Sequence, residues 1–256
     1  MNRIIITEHN RTIRMLGREA MRPYVWLTIA GVCFFSVILD IPSLIWGGSA
    51  WSAEEIQQIA NDYYRFGILP QIPRYYYINN LYAFLITGPL TFGLASFLMK
   101  IFRRKQTGTL EIFLGFANFG KTFLFYVSET ILIALGSILF VIPGLVLAYS
   151  YAMGYYLMND NPELRAWDAM KLSRSLMKGN RWKLFTLHLS FIGWGMLIAL
   201  ATWFVSSVST WLGAFANVFL SSLLTAYIHL SEIAFYEMLV GHLHRVSPEV
   251  SDSNVQ

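Results

Sequence analysis

Long apolar stretches alternate along the chain with shorter polar or basic segments. A helix of about 20 apolar residues is long enough to cross the hydrocarbon core of a bilayer. The pattern predicts six crossings, at about residues 24–46, 81–101, 121–142, 144–158, 184–205 and 212–239. Pro143 and Gly144 are expected to end the third crossing and to separate it from the shorter fourth. We interpret residues 1–256 as one all-α, polytopic membrane domain.

Two segments between the crossings have patterns of their own. Residues 47–80 are polar and aromatic, and Ser52 followed by Glu55 is typical of a helix N-cap, which predicts a short helix in this loop. Residues 162–178 alternate apolar and charged positions at helical spacing and are followed by Gly179. This pattern predicts an amphipathic helix on the inner membrane surface.

The basic residues are clustered, and their clusters predict an orientation. Of the 19 Lys and Arg, all but Arg65 and Arg74 lie in four segments: residues 1–23, 100–121, 163–183 and 241–256. Segments on the cytoplasmic side of a membrane protein are enriched in Lys and Arg. Six crossings place all four segments and both termini inside, and they leave the loop at residues 47–80 outside.

Composition excludes a soluble globule. Hydrophobic residues make up 55% of the chain, charged residues only 13%, and the mean hydropathy is +0.48. The net charge of +4 does not indicate nucleic acid as a partner, because the basic residues flank apolar spans, where anionic inner-leaflet lipid attracts them. The expected partners are therefore the lipid bilayer and, in particular, that anionic lipid.

The predicted surface helix and the residues after it carry a basic face. Its members are Arg165, Lys171, Arg174, Lys178, Arg181 and Lys183. Basic side chains on an amphipathic helix bind anionic headgroups. We interpret this face as a surface for lipid or for a cytoplasmic partner.

Polar residues recur at steps of three or four along the predicted sixth crossing. They are Asn217, Ser221, Thr225, His229, Glu232 and Tyr236. This spacing places them on one face of a helix, which should meet protein or water instead of lipid. Three interpretations stay open: hydrogen bonding between helices, a polar cavity or translocation path, and a metal or catalytic site.

Besides Asp40 in the first crossing, two further ionisable residues lie in other apolar stretches, Glu129 in the third crossing and His188 in the fifth. Both are at depths that allow a shared polar centre with His229 and Glu232. Only His229 and Glu232 are close in sequence and no H-E-x-x-H motif is present, so no metal site is predicted. A proton relay or ion-coupling site fits these residues with fewer assumptions.

Motifs of soluble enzymes are missing from the sequence. There is no P-loop, no dinucleotide fingerprint and no serine-hydrolase elbow, so neither catalytic residues nor a cofactor are predicted. His242 and His244 are interpreted as an interfacial pair and not as metal ligands. Any energy source such as an ATPase would have to be a separate subunit.

Several sequence blocks resemble one known family. The blocks are residues 86–90, 116–121, 140–144, 149–153, 159–162, 177–185 and 189–194, among them Asn159-Asp160-Asn161-Pro162 and Lys178-Gly179-Asn180-Arg181-Trp182. They resemble the bacterial integral membrane proteins grouped as domain-of-unknown-function family 975. The resemblance implies a multi-pass protein of the bacterial cell membrane. The family is distantly similar to the membrane part of some glycerophosphodiester phosphodiesterases. The resemblance implies no catalytic residues in this chain.

Three functions are compatible with these patterns. The first is a non-enzymatic transporter or channel for a small solute, or the membrane subunit of an export or immunity system, working as a homo-oligomer or with another membrane or ATPase subunit. The second is a scaffold that docks lipid or a cytoplasmic partner through the inner helix. The third and weakest is an intramembrane metal enzyme.

Overall fold

The computed structural model describes residues 4–46, 53–67 and 74–241. These residues are almost all helical, and no strand occurs within the described ranges. They contain six helical segments that are long and apolar enough to cross a membrane. The all-α, polytopic membrane class is thus confirmed, and the protein is an integral membrane protein.

The N-terminal part of the chain holds the first two crossings and a helix between them. The elements are α1 (Asn10–Met21), a 3₁₀ turn (Arg22–Tyr24), α2 (Val25–Trp46), α3 (Ala53–Phe66) and α4 (Arg74–Phe102). α1, the turn and α2 run on as one helical segment. α3 confirms the helix predicted in the loop, while its predicted N-cap, Ser52, and also His242 and His244 lie outside the described residues.

The rest of the described chain holds four crossings and the helices that connect them. The elements are a 3₁₀ turn (Thr109–Phe113), α5 (Leu114–Ala117), α6 (Phe119–Leu139), α7 (Val141–Tyr151), α8 (Gly154–Asp160), α9 (Ala166–Leu176), α10 (Arg181–Leu189), α11 (Ile192–Val208) and α12 (Thr210–Leu239). α6 is the third crossing, α7 with α8 the fourth, α10 with α11 the fifth, and α12 the sixth.

The turn between the third and fourth crossings lies at Phe140, so the prediction that Pro143 and Gly144 end the third crossing was wrong. Phe140 has an extended backbone with φ −161° and ψ 151°. Pro143 lies in the first turn of α7, where its missing N–H breaks no helical hydrogen bond. Gly144 allows close packing instead, because a Cβ there would overlap the Ser137 side chain of α6.

The fourth and fifth crossings are both broken, whereas the sequence predicts a continuous helix for each. The fourth breaks at Ala152 and Met153, between α7 and α8. The fifth breaks at Ser190 and Phe191, between α10 and α11. The Ser190 hydroxyl donates to the Leu187 carbonyl over 2.6 Å, and a serine bonded in this way competes with the regular backbone ladder.

α1 packs onto the bundle instead of forming only a basic tail. Ile13 is fully buried, and Gly17 is so close to α12 that an added Cβ would lie 2.8 Å from the backbone nitrogen of Ser231. Arg14 donates to the Ser190 carbonyl over 3.3 Å. This bond ties α1 to the break in the fifth crossing.

The predicted inner surface helix at residues 162–178 is observed as α9. It is shorter than predicted and packs on α6, α7 and α8 through buried Ala166, Ala169 and Met170. The Ser173 hydroxyl is also buried and donates to the Ser150 carbonyl over 2.9 Å. α9 is therefore amphipathic as predicted, but its apolar side meets protein.

α4 and α12 contact each other and α2 at the centre of the bundle. The α6–α7 hairpin, α11 and the first half of α12 are more peripheral and expose large apolar side chains, including Ile138, Trp203 and Trp211. Apolar side chains around such helices are suited to contact with lipid. We call the end of the bundle at which α4 is followed by Arg103 and Lys105 the basic end.

Candidate functional site

Glu232 of α12 is surrounded by hydrogen-bonding side chains inside the bundle. The Nδ1 atom of His229 lies 2.9 Å from its Oε2, and Tyr156 donates its hydroxyl to the same oxygen over 3.0 Å. The Nε2 atom of His188 lies 2.7 Å from Oε1, within ion-pair distance. These four residues form what we call the Glu232 cluster.

The two broken crossings supply the partners of Glu232. His188 lies in the last turn of α10, just before the break in the fifth crossing, and Tyr156 lies in the first turn of α8, just after the break in the fourth. His229 is three residues from Glu232 on α12, a spacing that places two side chains on one helical face. The Tyr149 hydroxyl lies 3.2 Å from His188 Nδ1, so each ring nitrogen of His188 has a polar neighbour.

A cavity of about 200 Å³ adjoins the Glu232 cluster, and we call it the central cavity. Its wall is formed by Thr91, Leu94, Ala95, Leu98, Glu129, Ala148, Ala152, Tyr155, Tyr156, His229 and Glu232. The α4 side is mainly apolar, whereas α6, α8 and α12 contribute the ionisable and phenolic groups. Three residues of the predicted shared polar centre, Glu129, His229 and Glu232, therefore line one cavity, and His188 adjoins it through Glu232.

Glu129 and Tyr155 of this wall differ from the Glu232 cluster in having no partners. Among the described residues, the carboxylate of Glu129 makes no hydrogen bond or ion pair. The Tyr155 hydroxyl is buried and has no hydrogen-bond partner there either. Tyr155 is held by an edge-on contact with the ring of Phe125, whose centroid lies 4.7 Å away. A buried polar group without a partner costs free energy, so the Tyr155 hydroxyl is suited to a ligand, and the half-buried Glu129 lies in the same wall.

Arg103 connects three helix ends at the basic end of the bundle. Its two terminal nitrogens bind the carboxylate of Asp160 over 2.5 Å and 2.8 Å. Its Nε donates to Glu237 over 2.7 Å, and Tyr236 donates its hydroxyl to Asp160 over 2.8 Å. We call these four residues the Arg103 clamp.

The Arg103 clamp is partly removed from water. The Glu237 side chain is only 5% exposed and that of Arg103 is 24% exposed. The hydrogen bond to Asp160 raises the pKa of Arg103 above its usual range, despite the opposing effect of burial. The ring of Tyr236 lies 5.5 Å from that of Tyr156, so the clamp adjoins the Glu232 cluster.

A second crevice of about 350 Å³ adjoins the clamp. Its wall consists of Ser96, Met99, Lys100, Arg103, Lys105, Asn159 and Asp160. Arg103 and Asp160 thus belong both to the clamp and to the wall of this crevice. We call it the basic-end crevice.

The structure brings together four of the residues predicted for a polar path and separates the others. Glu129, His229 and Glu232 line the central cavity, His188 contacts Glu232 behind that wall, and Tyr236 belongs to the Arg103 clamp. Asn217 is exposed, and the Ser221 hydroxyl bonds only its own helix, donating to the Val218 carbonyl over 3.2 Å. Thr225 is half-buried but lies outside the cavity wall. Of the polar stripe, only the half toward the basic end therefore lies at the central cavity or in the Arg103 clamp.

Metal ligation is not indicated by this geometry. Within residues 4–46, 53–67 and 74–241 no group of three or more His, Cys, Asp or Glu has an arrangement that could hold a metal ion. The close approach of His188 and His229 to Glu232 instead satisfies the carboxylate with nitrogen donors.

The sequence interpretation missed several residues of the site. Arg103 was assigned only to topology, and Asp160 and Glu237 were not singled out as site residues. Tyr149 and Tyr156 were not assigned to the polar path either. One signal was present, because Asp160 and Glu237 each lie at the basic end of an apolar helix, where a carboxylate needs a nearby cation.

Comparison with known proteins supports the resemblance without giving a function. No curated protein and no solved structure matches the chain. One family model matches residues 129–242, the part of the chain that carries Glu129, His188, His229 and Glu232. Over these residues the chain resembles the family described as Protein of unknown function (DUF975).

Proposed function

We propose that the protein transports or gates a small solute across the membrane. The observation that carries this proposal is the central cavity, which lies among the membrane-crossing helices and is lined by Glu129, His229 and Glu232. Ionisable side chains in the membrane interior are costly and are found mainly where they pair or line a pathway. A purely structural bundle would have no need for an unpaired Glu129 in such a wall.

The broken crossings support the same function. Transporter sites are commonly formed where membrane helices are interrupted, because free backbone groups and mobile half-helices are tolerated only beside a cavity or in protein. Here the breaks at Ala152 and at Ser190 both adjoin residues that contact the Glu232 cluster. Movement of α8 or α10 about its break would change the distance from Tyr156 or His188 to Glu232.

The Arg103 clamp acts in this proposal as a gate between the central cavity and the basic-end crevice. Three ionised groups from separate helix ends hold α4, α8 and α12 together. Breaking the contacts between Arg103 and Asp160 would connect the two spaces. We place the basic end in the cytoplasm, because Lys and Arg are enriched on that side.

Glu232 is assigned the coupling role. As a carboxylate it holds His188, His229 and Tyr156, and on protonation it loses the charge that attracts both imidazoles. One proton arriving at Glu232 would therefore loosen contacts to two other crossings. No covalent chemistry is assigned to any of these residues.

The first prediction concerns Glu232→Gln. The amide preserves size but cannot ionise, so proton flux through proteoliposomes, driven by a potassium diffusion potential and read by an internal pH dye, should fall close to the protein-free background. Glu163→Gln is the matched control, because Glu163 is exposed between α8 and α9. Its flux should equal that of the wild type. Unchanged flux in the Glu232 variant, at equal reconstitution, would contradict the coupling role.

A second candidate function, a scaffold that docks anionic lipid, is favoured by one observation. Lys171 and Arg174 are exposed on α9, and Arg165 is exposed just before it, while the opposite side of that helix is buried. Lys178 and the half-buried Arg181 and Lys183 follow the same helix. A basic helical face beside a membrane attracts anionic headgroups.

The second prediction tests that scaffold. Replacing Lys171 and Arg174 by serine should reduce the anionic lipid that remains bound after purification, since each basic residue near such a surface contributes about 1 kcal/mol. Native mass spectrometry can count phosphatidylglycerol molecules per protein. Arg65→Ser is the control, because Arg65 is exposed on α3, away from that basic face. Equal lipid retention by the double variant and the control would exclude α9 as the docking surface.

A further inference from the structure

We propose that the central cavity binds a small organic cation, with Glu129 as its counter-ion. The inference rests on the proposed transport function and names the class of solute. Glu129 has no hydrogen bond or ion pair among the described residues, although it lines an interior wall. A carboxyl group in such surroundings is either protonated or paired with a group of opposite charge, so a bound cation would favour its ionised form.

The distribution of charge around the cavity favours a cation over an anion. Glu232 has two imidazoles within 2.9 Å, whereas Glu129 has no cationic neighbour at ion-pair distance among the described residues. Arg103, at the basic end, is bound to Asp160 and Glu237. The two imidazoles therefore compensate only the negative charge of Glu232 on α12. A monovalent cation beside Glu129 would compensate the second negative charge of the wall.

The composition of the wall favours an organic cation over a metal ion. Leu94, Ala95 and Leu98 of α4, together with alanines of α7, offer no ligand atoms. A small inorganic cation that leaves water must replace its hydration shell with several oxygen ligands. An alkylated ammonium is weakly hydrated, and its carbon atoms can contact the apolar α4 side.

Tyr155 and Tyr156 supply aromatic surface next to the two carboxylates. Aromatic rings attract quaternary and alkyl ammonium groups through the negative charge of the ring face. The buried hydroxyl of Tyr155, which lacks a partner, is available to the ligand as an acceptor or donor. These two phenols distinguish the site from an unselective acidic pocket.

The volume limits the size of the solute. At roughly 30 Å³ for each water of the liquid, a space of about 200 Å³ holds a handful of waters. Larger ligand pockets in proteins are typically about 300–1,000 Å³. The cavity therefore fits an ammonium with a few carbon atoms and excludes bulky amphiphiles.

The third prediction uses the reactivity of Glu129 itself. A hydrophobic carbodiimide modifies carboxyl groups in apolar surroundings, and mass spectrometry of the peptide that contains Glu129 measures the rate. In wild-type protein in lipid nanodiscs, tetramethylammonium should slow this modification. At about ten times its dissociation constant the rate should fall about tenfold, because about one site in ten stays free.

Two compounds serve as controls for charge and for chemical class. tert-Butanol has a similar shape without charge, and sodium at the same ionic strength has the charge without the carbon atoms. Neither should protect Glu129. Protection by sodium equal to that by tetramethylammonium would overturn the organic class, and the lack of protection by any cation would overturn the site.

The protein also offers a matched variant. Tyr155→Phe keeps the ring and removes the unpartnered hydroxyl, whereas Tyr155→Leu removes the ring; protection by tetramethylammonium should weaken far more in the leucine variant. Equal protection in both variants and in the wild type would overturn the role of the ring. If tetramethylammonium protects Glu129 but the wild type carries no proton flux, the transport function is refuted and the cation site is supported. If the wild type carries proton flux but no cation protects Glu129, the cation site is refuted and the transport function stands.

Discussion

Replacing Arg103 with alanine should lower the free energy of unfolding by about 3–5 kcal/mol, the range measured when one partner of a buried ion pair is removed. The reason is that Asp160 and Glu237 would keep their charges without the guanidinium that binds both. The variant should also join the central cavity to the basic-end crevice. Unfolding in detergent, followed by tryptophan fluorescence, measures the loss of stability.

Lys105→Ala is the control for Arg103→Ala. Lys105 lies at the same basic end and is exposed, and its removal should change stability by less than about 1 kcal/mol. Combining Arg103→Ala with Glu237→Gln should recover part of the loss, since one of the two carboxylates that Arg103 binds is then neutral. Strictly additive losses in the double variant would show that the two side chains do not act through each other.

Replacing Gly115 with alanine should also destabilise the protein strongly, by about 1–3 kcal/mol or more. A Cβ at Gly115 would overlap the carbonyl of Pro89 in α4, and a Cβ at Gly93 would overlap the carbonyl of Ile112. Both obstacles are backbone atoms, which cannot turn away as a flexible side chain can. Because α6 follows this contact directly, the change should also shift Glu129 relative to α4.

Gly120→Ala is a matched control on the neighbouring helix. Nothing lies within 4 Å of the Cβ position at Gly120, and alanine favours a helix over glycine. Its midpoint of thermal unfolding should equal or exceed that of the wild type, whereas Gly115→Ala should unfold at a lower temperature. A Gly115 variant as stable as the Gly120 variant would mean that the contact between α4 and residues 109–117 is loose.

The crossings could be predicted from the sequence, while their interruptions could not. Apolar length alone placed α2, α4, α6 and α12, because the thickness of the bilayer sets the same requirement for every spanning helix. The breaks at Ala152 and Ser190 leave no trace in hydropathy. They depend on contacts with other helices, such as the bond from Arg14 to the Ser190 carbonyl.

The site was predicted in part. His229 and Glu232 could be recognised because ionisable residues stand out in an apolar stretch, and the same reasoning identified Glu129 and His188. The direct contact of His188 with Glu232 could not be inferred, since depth in the membrane does not give rotation about the helix axis. The rotation of α12 about its axis cannot be inferred either. Asn217 and Ser221 are not at the cavity, although they follow the same helical spacing as His229 and Glu232.

The sequence by itself determined that this chain is an all-helical membrane protein with six crossings. It also identified the ionisable side chains within the apolar stretches, which are unfavourable in contact with lipid. Only the tertiary structure decided which of them meet, and it turned Arg103 from a topology signal into the centre of a clamp. The physical reason is the separation in sequence over which each signal acts. Hydropathy is summed over neighbours in the chain, whereas Arg103 binds residues 57 and 134 positions away, and such contacts exist only once the helices are packed.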